Sequence, residues 1–236
     1  MMRALIVDDE IYSREEMEAM LNGTGEFVVL GKCANALEAI SAINKEKPDV
    51  LFLDVQMPVI NGFELLGMID EEVMPSVVFV TAYDEYALKA FDENALDYLL
   101  KPVEKERLSK TVEKLKKRLS EGVRPIFTGS DIEKIPCIHS SRIKLINTSE
   151  VEYVRSGETG VYVICRNGEF YTDLTLQVLE NKTDLVRCHK QFLINIDLVD
   201  EIILRENGAA EVKTKSGRLV PVSRRYLKIL RGKLLF

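Results

Sequence analysis

Apolar and polar positions follow a regular rhythm along the first half of the chain, with short apolar runs alternating with longer, helically spaced patterns. Four runs, at 4–7, 50–53, 77–80 and 98–100, each stop at a polar residue: Asp8-Asp9, Asp54, Thr81 and Lys101 in turn. Met17, Met20 and Leu21 recur at helical steps, and so do Leu37, Ile40 and Ile43 ahead of Pro48. Phe63, Leu66 and Ile69 follow Gly62, and Tyr86, Ala90 and Phe91 follow Asp84. Leu108, Val112, Leu115 and Leu119 form a last face, which ends near Gly122. Runs this short suit strands covered on both faces, and steps of three or four suit amphipathic helices. Five strand–helix pairs in about 120 residues predict one α/β domain on a parallel sheet.

After Pro136 the pattern changes. Short β-rich runs at 143–146, 151–154, 161–165, 170–172, 202–204, 210–213 and 219–222 alternate with turn residues. Asn167-Gly168 and Asn207-Gly208 read as hairpin turns. Only 174–179 and 226–230 look helical, so this half is predicted to be mainly β. The stretch around Pro125, Gly129, Ser130 and Asp131 lacks periodicity and reads as a linker. The expected division is therefore 1–121, a linker at 122–135, and 136–236.

With 46% hydrophobic and 30% charged residues, the 236-residue chain is expected to pack an ordinary globular core. No apolar stretch reaches the ~20 residues that cross a bilayer. Asp8, Asp9 and Glu10 cut short any leader-like run, so a cytoplasmic protein, not itself embedded in a membrane, is expected. Cys33, Cys137, Cys165 and Cys188 are scattered, which fits a reducing compartment. Cys137 with His139, and Cys188 with His189, lack the spacing of a closed zinc site. Residues 1–136 hold 16 Lys+Arg against 26 Asp+Glu, a net of −10; the remainder holds 16 against 12, a net of +4. Such asymmetry suits an acidic module joined to one that tolerates a polyanion.

Ligands of open parallel α/β sheets bind beyond the carboxyl ends of the strands. The polar residues that end the four runs would therefore converge at one sheet edge. Asp8, Asp9 and Asp54 packed together repel unless protons or a divalent cation compensate. Hard oxygen donors beside a phosphate favour Mg²⁺. Asp54 could then attack a phosphoryl group to give an aspartyl-phosphate, with Lys101 as a point charge and the Thr81 hydroxyl as a donor to its oxygens. Any one of these residues is an ordinary strand-end group. The whole set, in this order, points to phosphoryl transfer.

Asp8-Asp9, LDVQMPVINGFELL around Asp54, and VTAYDEYALKAFDENALDYLLKP through Lys101-Pro102 together resemble the receiver domain of two-component response regulators, over about residues 1–120. The resemblance implies a flavodoxin-like (βα)5 fold with a parallel sheet and Asp54 as phosphoacceptor. It implies a Mg²⁺ site made by Asp8, Asp9, Asp54 and the Gln56 main-chain carbonyl. Thr81 and Lys101 become phosphate-sensing residues, Tyr98 a switch aromatic coupled to Thr81, and Lys101-Pro102 a cis peptide. It also implies that Gln56 and Tyr83 help set the hydrolysis rate, with the bulk of Tyr83 hindering the attacking water.

LVRCHKQFLINIDLVDEI at 185–202, followed by VPVSRRYLKIL at 220–230, resembles the LytTR DNA-binding domain over roughly 136–236. Across its whole length the chain resembles BtsR-type regulators (the YehT subgroup). The resemblance implies a compact, mainly-β fold whose loops enter successive major grooves. Three places match the family's contacts: the loop 155–159 with Ser156 and Thr159, Lys190 after His189, and Arg225 after Ser223-Arg224. Lys190 and Arg225 are expected to meet guanine edges, and Arg224 and Lys228 phosphates. Glu158 departs from a basic pattern, and His189 reads first as a structural residue and second as a DNA contact.

The resulting expectation is a phosphorylation-activated transcription regulator, not an enzyme. A sensor histidine kinase, expected to be membrane-bound, would phosphorylate Asp54. The protein would then pair as a homodimer and bind double-stranded promoter DNA at repeated half-sites. A phosphatase using an aspartyl-phosphate intermediate would need a second carboxylate two residues after Asp54, where this chain has Gln56. A receiver with an RNA- or protein-binding output is the other rival. A receiver working unphosphorylated is disfavoured by the intact acidic triad.

Overall fold

A computed structural model describes the chain except for residues 123–126, 128–130, 140–141, 206–209 and 235–236. It divides into two compact units, Met1–Ser130 and Asp131–Phe236.

In the first unit the order is β1 (Met2–Val7), α1 (Ile11–Thr24), β2 (Phe27–Cys33), α2 (Ala36–Glu46), β3 (Val50–Leu53), α3 (Gly62–Gly67), β4 (Ser76–Thr81), α4 (Ala87–Asp92), β5 (Asp97–Leu100) and α5 (Lys105–Glu121). The strands lie in the order β2-β1-β3-β4-β5 and all pair in parallel. This is the flavodoxin-like order, whose switch point falls between β1 and β3. Every residue of β3 and β4 is buried, because helices cover both faces of the central strands. Phe52 and Phe79 are almost wholly buried, and burying a side chain of that size is worth about 1.5–3 kcal/mol. Met17 and Leu21 of α1 meet Leu108, Val112 and Leu115 of α5 in the same core as Phe52.

Three helical faces differ from the sequence pattern, the least of them that of α5, where Leu119 is exposed. Helix α3 stops at Gly67, so Ile69 is buried from the loop that follows rather than from the helix. Helix α4 is less than two turns long, with Tyr86 as its N-cap and only Ala90 buried. Phe91 is 80% exposed and Leu88 81%, so the apolar residues after Asp84 do not form a core face.

The second unit contains β6 (Lys134–His139), β7 (Arg142–Asn147), β8 (Val151–Gly157), β9 (Gly160–Cys165), β10 (Gly168–Thr172), α6 (Leu176–Lys182), β11 (Val186–His189), β12 (Phe192–Ile194), β13 (Val199–Leu204), β14 (Ala210–Thr214), β15 (Leu219–Val222) and α7 (Arg224–Leu234). Seven strands form one sheet, β11-β12-β8-β9-β10-β6-β7, and β13-β14-β15 form a second; all pairs are antiparallel. Alternating burial along β14 and β15 is what strands with one face on a core require. Strands β11 and β12 are too short for periodicity to reveal, and β6 opens at Lys134, inside the stretch read as linker. Arg166 and Asn167 form the turn between the paired residues Cys165 and Gly168. The Asn207-Gly208 turn signal lies outside the described residues.

Leu230 of α7 packs with Val186 and Cys188 of β11 and with Val212, Val220 and Val222 of the smaller sheet. The two sheets are also joined through a buried carboxylate. Glu152 of β8 accepts from the hydroxyls of Thr214 (3.2 Å) and Ser216 (2.6 Å), and Arg218 lies 3.7 Å away. All four cysteines are free and buried. Burial pushes the thiols of Cys33, Cys137 and Cys188 up to about 12 and that of Cys165 up to about 11, so none is a ready thiolate ligand.

Candidate functional site

The first site forms where β1 and β3 end side by side. Their pairing runs in register to Val7 and Leu53, so Asp8 and Asp54 leave neighbouring strands at the same level. The Asp54 amide donates to the Val7 carbonyl at 2.8 Å, which continues that alignment past the strands. Oxygens of Asp8, Asp9 and Asp54 all lie within 4.8 Å of one another, the one such ligand group among the described residues. Asp8 and Asp54 are buried and Asp9 is exposed.

Lys101 reaches in from the end of β5. Its Nζ lies 2.6 Å from Asp8 Oδ2 and 3.0 Å from Asp54 Oδ2. The Lys101-Pro102 peptide is cis, as the resemblance implied. Burial pushes the Asp8 carboxyl upward, against the opposing pull of Lys101 and the Glu10 amide. Burial alone would lower the Lys101 ammonium, but its hydrogen bonds to Asp8 and Asp54 outweigh that and raise it. The site is thus a charge-dense pocket in which one cation offsets only part of three carboxylates. Clustered hard oxygens with residual negative charge fit Mg²⁺.

A cavity of about 430 Å³ opens beside Asp54 and is also lined by Asp9, Gln56, Tyr83 and Lys101. The Gln56 amide points at Asp54 Oδ1 from 3.4 Å, and the Gln56 side-chain amide donates to the Tyr86 hydroxyl at 3.1 Å. Thr81 is fully buried, and its hydroxyl has no hydrogen-bond partner among the described residues. An orphaned donor at the end of β4, next to the acidic pocket, suits an incoming phosphoryl oxygen. Tyr98 donates its hydroxyl to the Tyr83 carbonyl. Burial, reinforced by Asp54 and Asp84, pushes the Tyr98 phenol up to about 12, so it remains a donor.

Three further residues shape this pocket without a sequence signal of their own. Arg14 Nη1 donates to the main-chain carbonyls of Asp8 (2.6 Å) and Asp9 (3.0 Å), bracing the loop between β1 and α1. A Cβ at Gly62 would sit 2.4 Å from the Asp54 carbonyl oxygen, so only glycine lets α3 start this close to the acidic strand end. Tyr86 is the third. Arg14 lies six and five residues beyond Asp8 and Asp9, a spacing that carries no motif, so only geometry singles it out.

The second site lies at one end of the β-rich unit. The β8–β9 hairpin closes through the pair Gly157 and Gly160, and Thr159 bonds the Tyr162 hydroxyl at 2.8 Å. Gly160 has φ +127°, and a Cβ there would meet the Tyr171 ring at 2.5 Å. The Ser156 amide donates to the Gln191 carbonyl at 2.8 Å, which fastens this hairpin to the β11–β12 turn carrying exposed Lys190. The Ser223 amide donates to the Cys188 carbonyl at 3.0 Å, which sets Arg224 and Arg225, both exposed, beside the same strand. The three sequence-predicted places are therefore linked by main-chain hydrogen bonds.

Arg187 braces the turn. Its guanidinium pairs with Glu180 of α6 (2.7 Å) and donates to the Lys190 carbonyl at 3.3 Å. His189 Nδ1 accepts from the Gln191 amide at 3.2 Å, and its ring sits edge-on to Phe192. That engagement gives His189 a structural part in the turn. Arg155 is held by Glu169 and by the face of Tyr162, 4.5 Å away.

Comparison with known proteins agrees with both halves. Residues 4–113 match the response regulator receiver domain, and residues 141–235 match the LytTr DNA-binding domain. The chain is 51% identical to an uncharacterized response regulatory protein of Vibrio vulnificus, over 99% of this chain and 98% of the relative. It is 49% identical to the transcriptional regulatory protein BtsR of Salmonella typhimurium, over 98% of each. Among solved structures, the response regulatory domain of mrkE from Klebsiella pneumoniae is 28% identical. It covers 51% of this chain and 99% of its own, with a TM-score of 0.46.

Proposed function

Since the chain belongs to the response regulators that join a receiver to a LytTR DNA-binding domain, and so regulates transcription, we propose that phosphorylation of Asp54 by a sensor histidine kinase switches its binding to promoter DNA. The observation that carries this reading is the Lys101 ammonium bridging Asp8 and Asp54 at the β1/β3 switch point, with Asp9 completing an oxygen cluster.

An Asp54 carboxylate oxygen attacks the phosphorus of a phosphohistidine. The P–N bond breaks, and the released imidazole nitrogen takes up a proton from solvent. Asp8, Asp9, Asp54 and the Gln56 main-chain carbonyl would hold Mg²⁺, which when bound offsets charge on the transferring phosphoryl group. Lys101 turns from the carboxylates toward a phosphoryl oxygen, and the Thr81 hydroxyl donates to another. The bulk of Tyr83 at the cavity wall hinders the water that would hydrolyse the product.

Engagement of Thr81 releases its side of the sheet to rearrange around α4, β5 and α5. Leu88 and Phe91 of α4 and Leu100 of β5 stand exposed there, an apolar face suited to pairing two receivers. The homodimer then sets two β-rich units on repeated half-sites in the cytoplasm, with Lys190 and Arg225 reading base edges and Ser156, Thr159 and Arg224 supporting them. The protein is a switch rather than an enzyme acting on a separate substrate, because Gln56 stands where a phosphatase would need its general acid.

The test is labelling of the full-length protein with a small phosphodonor and Mg²⁺. Wild type should take up label and Asp54→Asn none; equal labelling of the two would point to another acceptor.

A further inference from the structure

Tyr86 does not line the cavity beside Asp54, yet it holds two residues that do. Its hydroxyl accepts from the Gln56 side-chain amide at 3.1 Å. Its ring stands edge-on to Tyr83, with centroids 6.2 Å apart. On the other side the same ring leans on Phe63, also at 6.2 Å, and Phe63 packs on buried Phe79 at 4.7 Å. The ring is therefore anchored from beneath by the core. Tyr86 is also the N-cap residue of α4, so it travels with that helix.

We propose that Tyr86 is a positioning residue for the lifetime of the phosphorylated state, a latch that keeps the Gln56 amide away from the phosphoryl pocket until α4 moves. This rests on the reading of Asp54 as phosphoacceptor. In hydrolysis, a water oxygen attacks phosphorus and the bond from phosphorus to the Asp54 carboxylate oxygen breaks. The carboxylate and inorganic phosphate result, and the water proton leaves to solvent. A glutamine amide free to swing over the pocket can orient that water, as glutamines do in other phosphoryl hydrolyses. Bound to Tyr86, the Gln56 amide is turned toward α4 instead. Any event that fixes α4 with the bond intact would preserve the phosphoryl group, and by linkage the bond favours that arrangement of α4.

The experiment follows loss of label from the phosphorylated full-length protein in wild type, Tyr86→Phe, Gln56→Ala and the double variant. Removing the hydroxyl alone should hasten loss by about two- to tenfold, the rate equivalent of one net hydrogen bond. In the Gln56→Ala background Tyr86→Phe should change nothing, because no amide is left to release. A merely structural role for the ring would not produce that dependence. An unchanged lifetime in Tyr86→Phe, or the same acceleration in both backgrounds, overturns the latch. Failure of the wild type to take up label at Asp54 would instead remove the underlying reading, and the latch with it.

Discussion

At the residue scale, Thr81 and Gly62 show how the receiver's local structure is bent to its chemistry. A buried hydroxyl without a partner costs about 1–3 kcal/mol, and Thr81 has none among the described residues. Thr81→Val keeps the shape and removes the orphan. It should stabilise the unphosphorylated protein by about 1 kcal/mol in urea unfolding while weakening phosphorylation-dependent pairing. A loss of stability would mean the hydroxyl has a partner after all. Gly62→Ala has the opposite sign, since the new methyl group collides with main-chain atoms of Asp54 and Val55 that cannot swing aside. A cost of about 1–3 kcal/mol is expected, together with slower uptake of label at the displaced Asp54. The acidic residues were legible in the sequence because their chemistry resides in the side chain. Arg14 and Tyr86 were not, because a guanidinium or phenol acquires its role only from what lies within reach.

At the element scale, the docking of α5 on β5 depends on a carboxylate the sequence pattern did not mark. Asp97 opens β5 and is buried. It accepts from Arg107 (2.8 Å), Thr111 (2.8 Å) and Lys114 (3.0 Å), all on one face of α5. Burial alone would raise its pKa, but these three bonds and the Tyr98 amide bring it down to about 2 from the usual 3.8. A depressed carboxyl contributes stability that is complete above its unfolded value and disappears as pH falls through the folded one. That window is pH 4 to 2. The contribution is roughly 1–2 kcal/mol, discounted because Arg107 and Lys114 are substantially solvated. Unfolding of wild type and Asp97→Asn compared from pH 5 to 2 should show the difference shrinking toward acid; a constant difference would count against the clamp. The helical spacing of Leu108, Val112 and Leu115 announced α5, but the partner of its Arg107–Lys114 face could be found only across the sheet. The short α4 is the reverse case, where an apolar cluster suggested a buried face and the helix leaves Leu88 and Phe91 to solvent.

At the scale of the whole molecule, the acidic half carries the oxygen cluster around Asp54 and the basic half carries the residues proposed to read DNA. Lys190 and Arg225 stand on elements joined through the Cys188 carbonyl, which accepts from the Ser223 amide, so their spacing is set by a main-chain hydrogen bond. Lys190→Ala and Arg225→Ala should each reduce discrimination between operator and mismatched DNA by about 1–3 kcal/mol per lost contact to a base. Arg224→Ala should instead weaken binding to all sequences and flatten its salt dependence. Competition binding across salt concentrations separates the two behaviours, and unchanged discrimination in both variants would remove Lys190 and Arg225 from the base-reading set.

The sequence by itself determined the parallel α/β receiver, the mainly-β second half and the candidate set Asp8, Asp9, Asp54, Thr81 and Lys101. Strand and helix periodicities are local, and strand-end chemistry follows directly from where an apolar run stops. Tertiary structure alone decided that Lys101 bridges two carboxylates, that Thr81 has no partner among the described residues and that Asp97 locks α5. It also decided that β6, β11 and β12 complete the larger sheet. Each of these depends on which distant residues come within about 3 Å of one another, and no one-dimensional pattern encodes that distance.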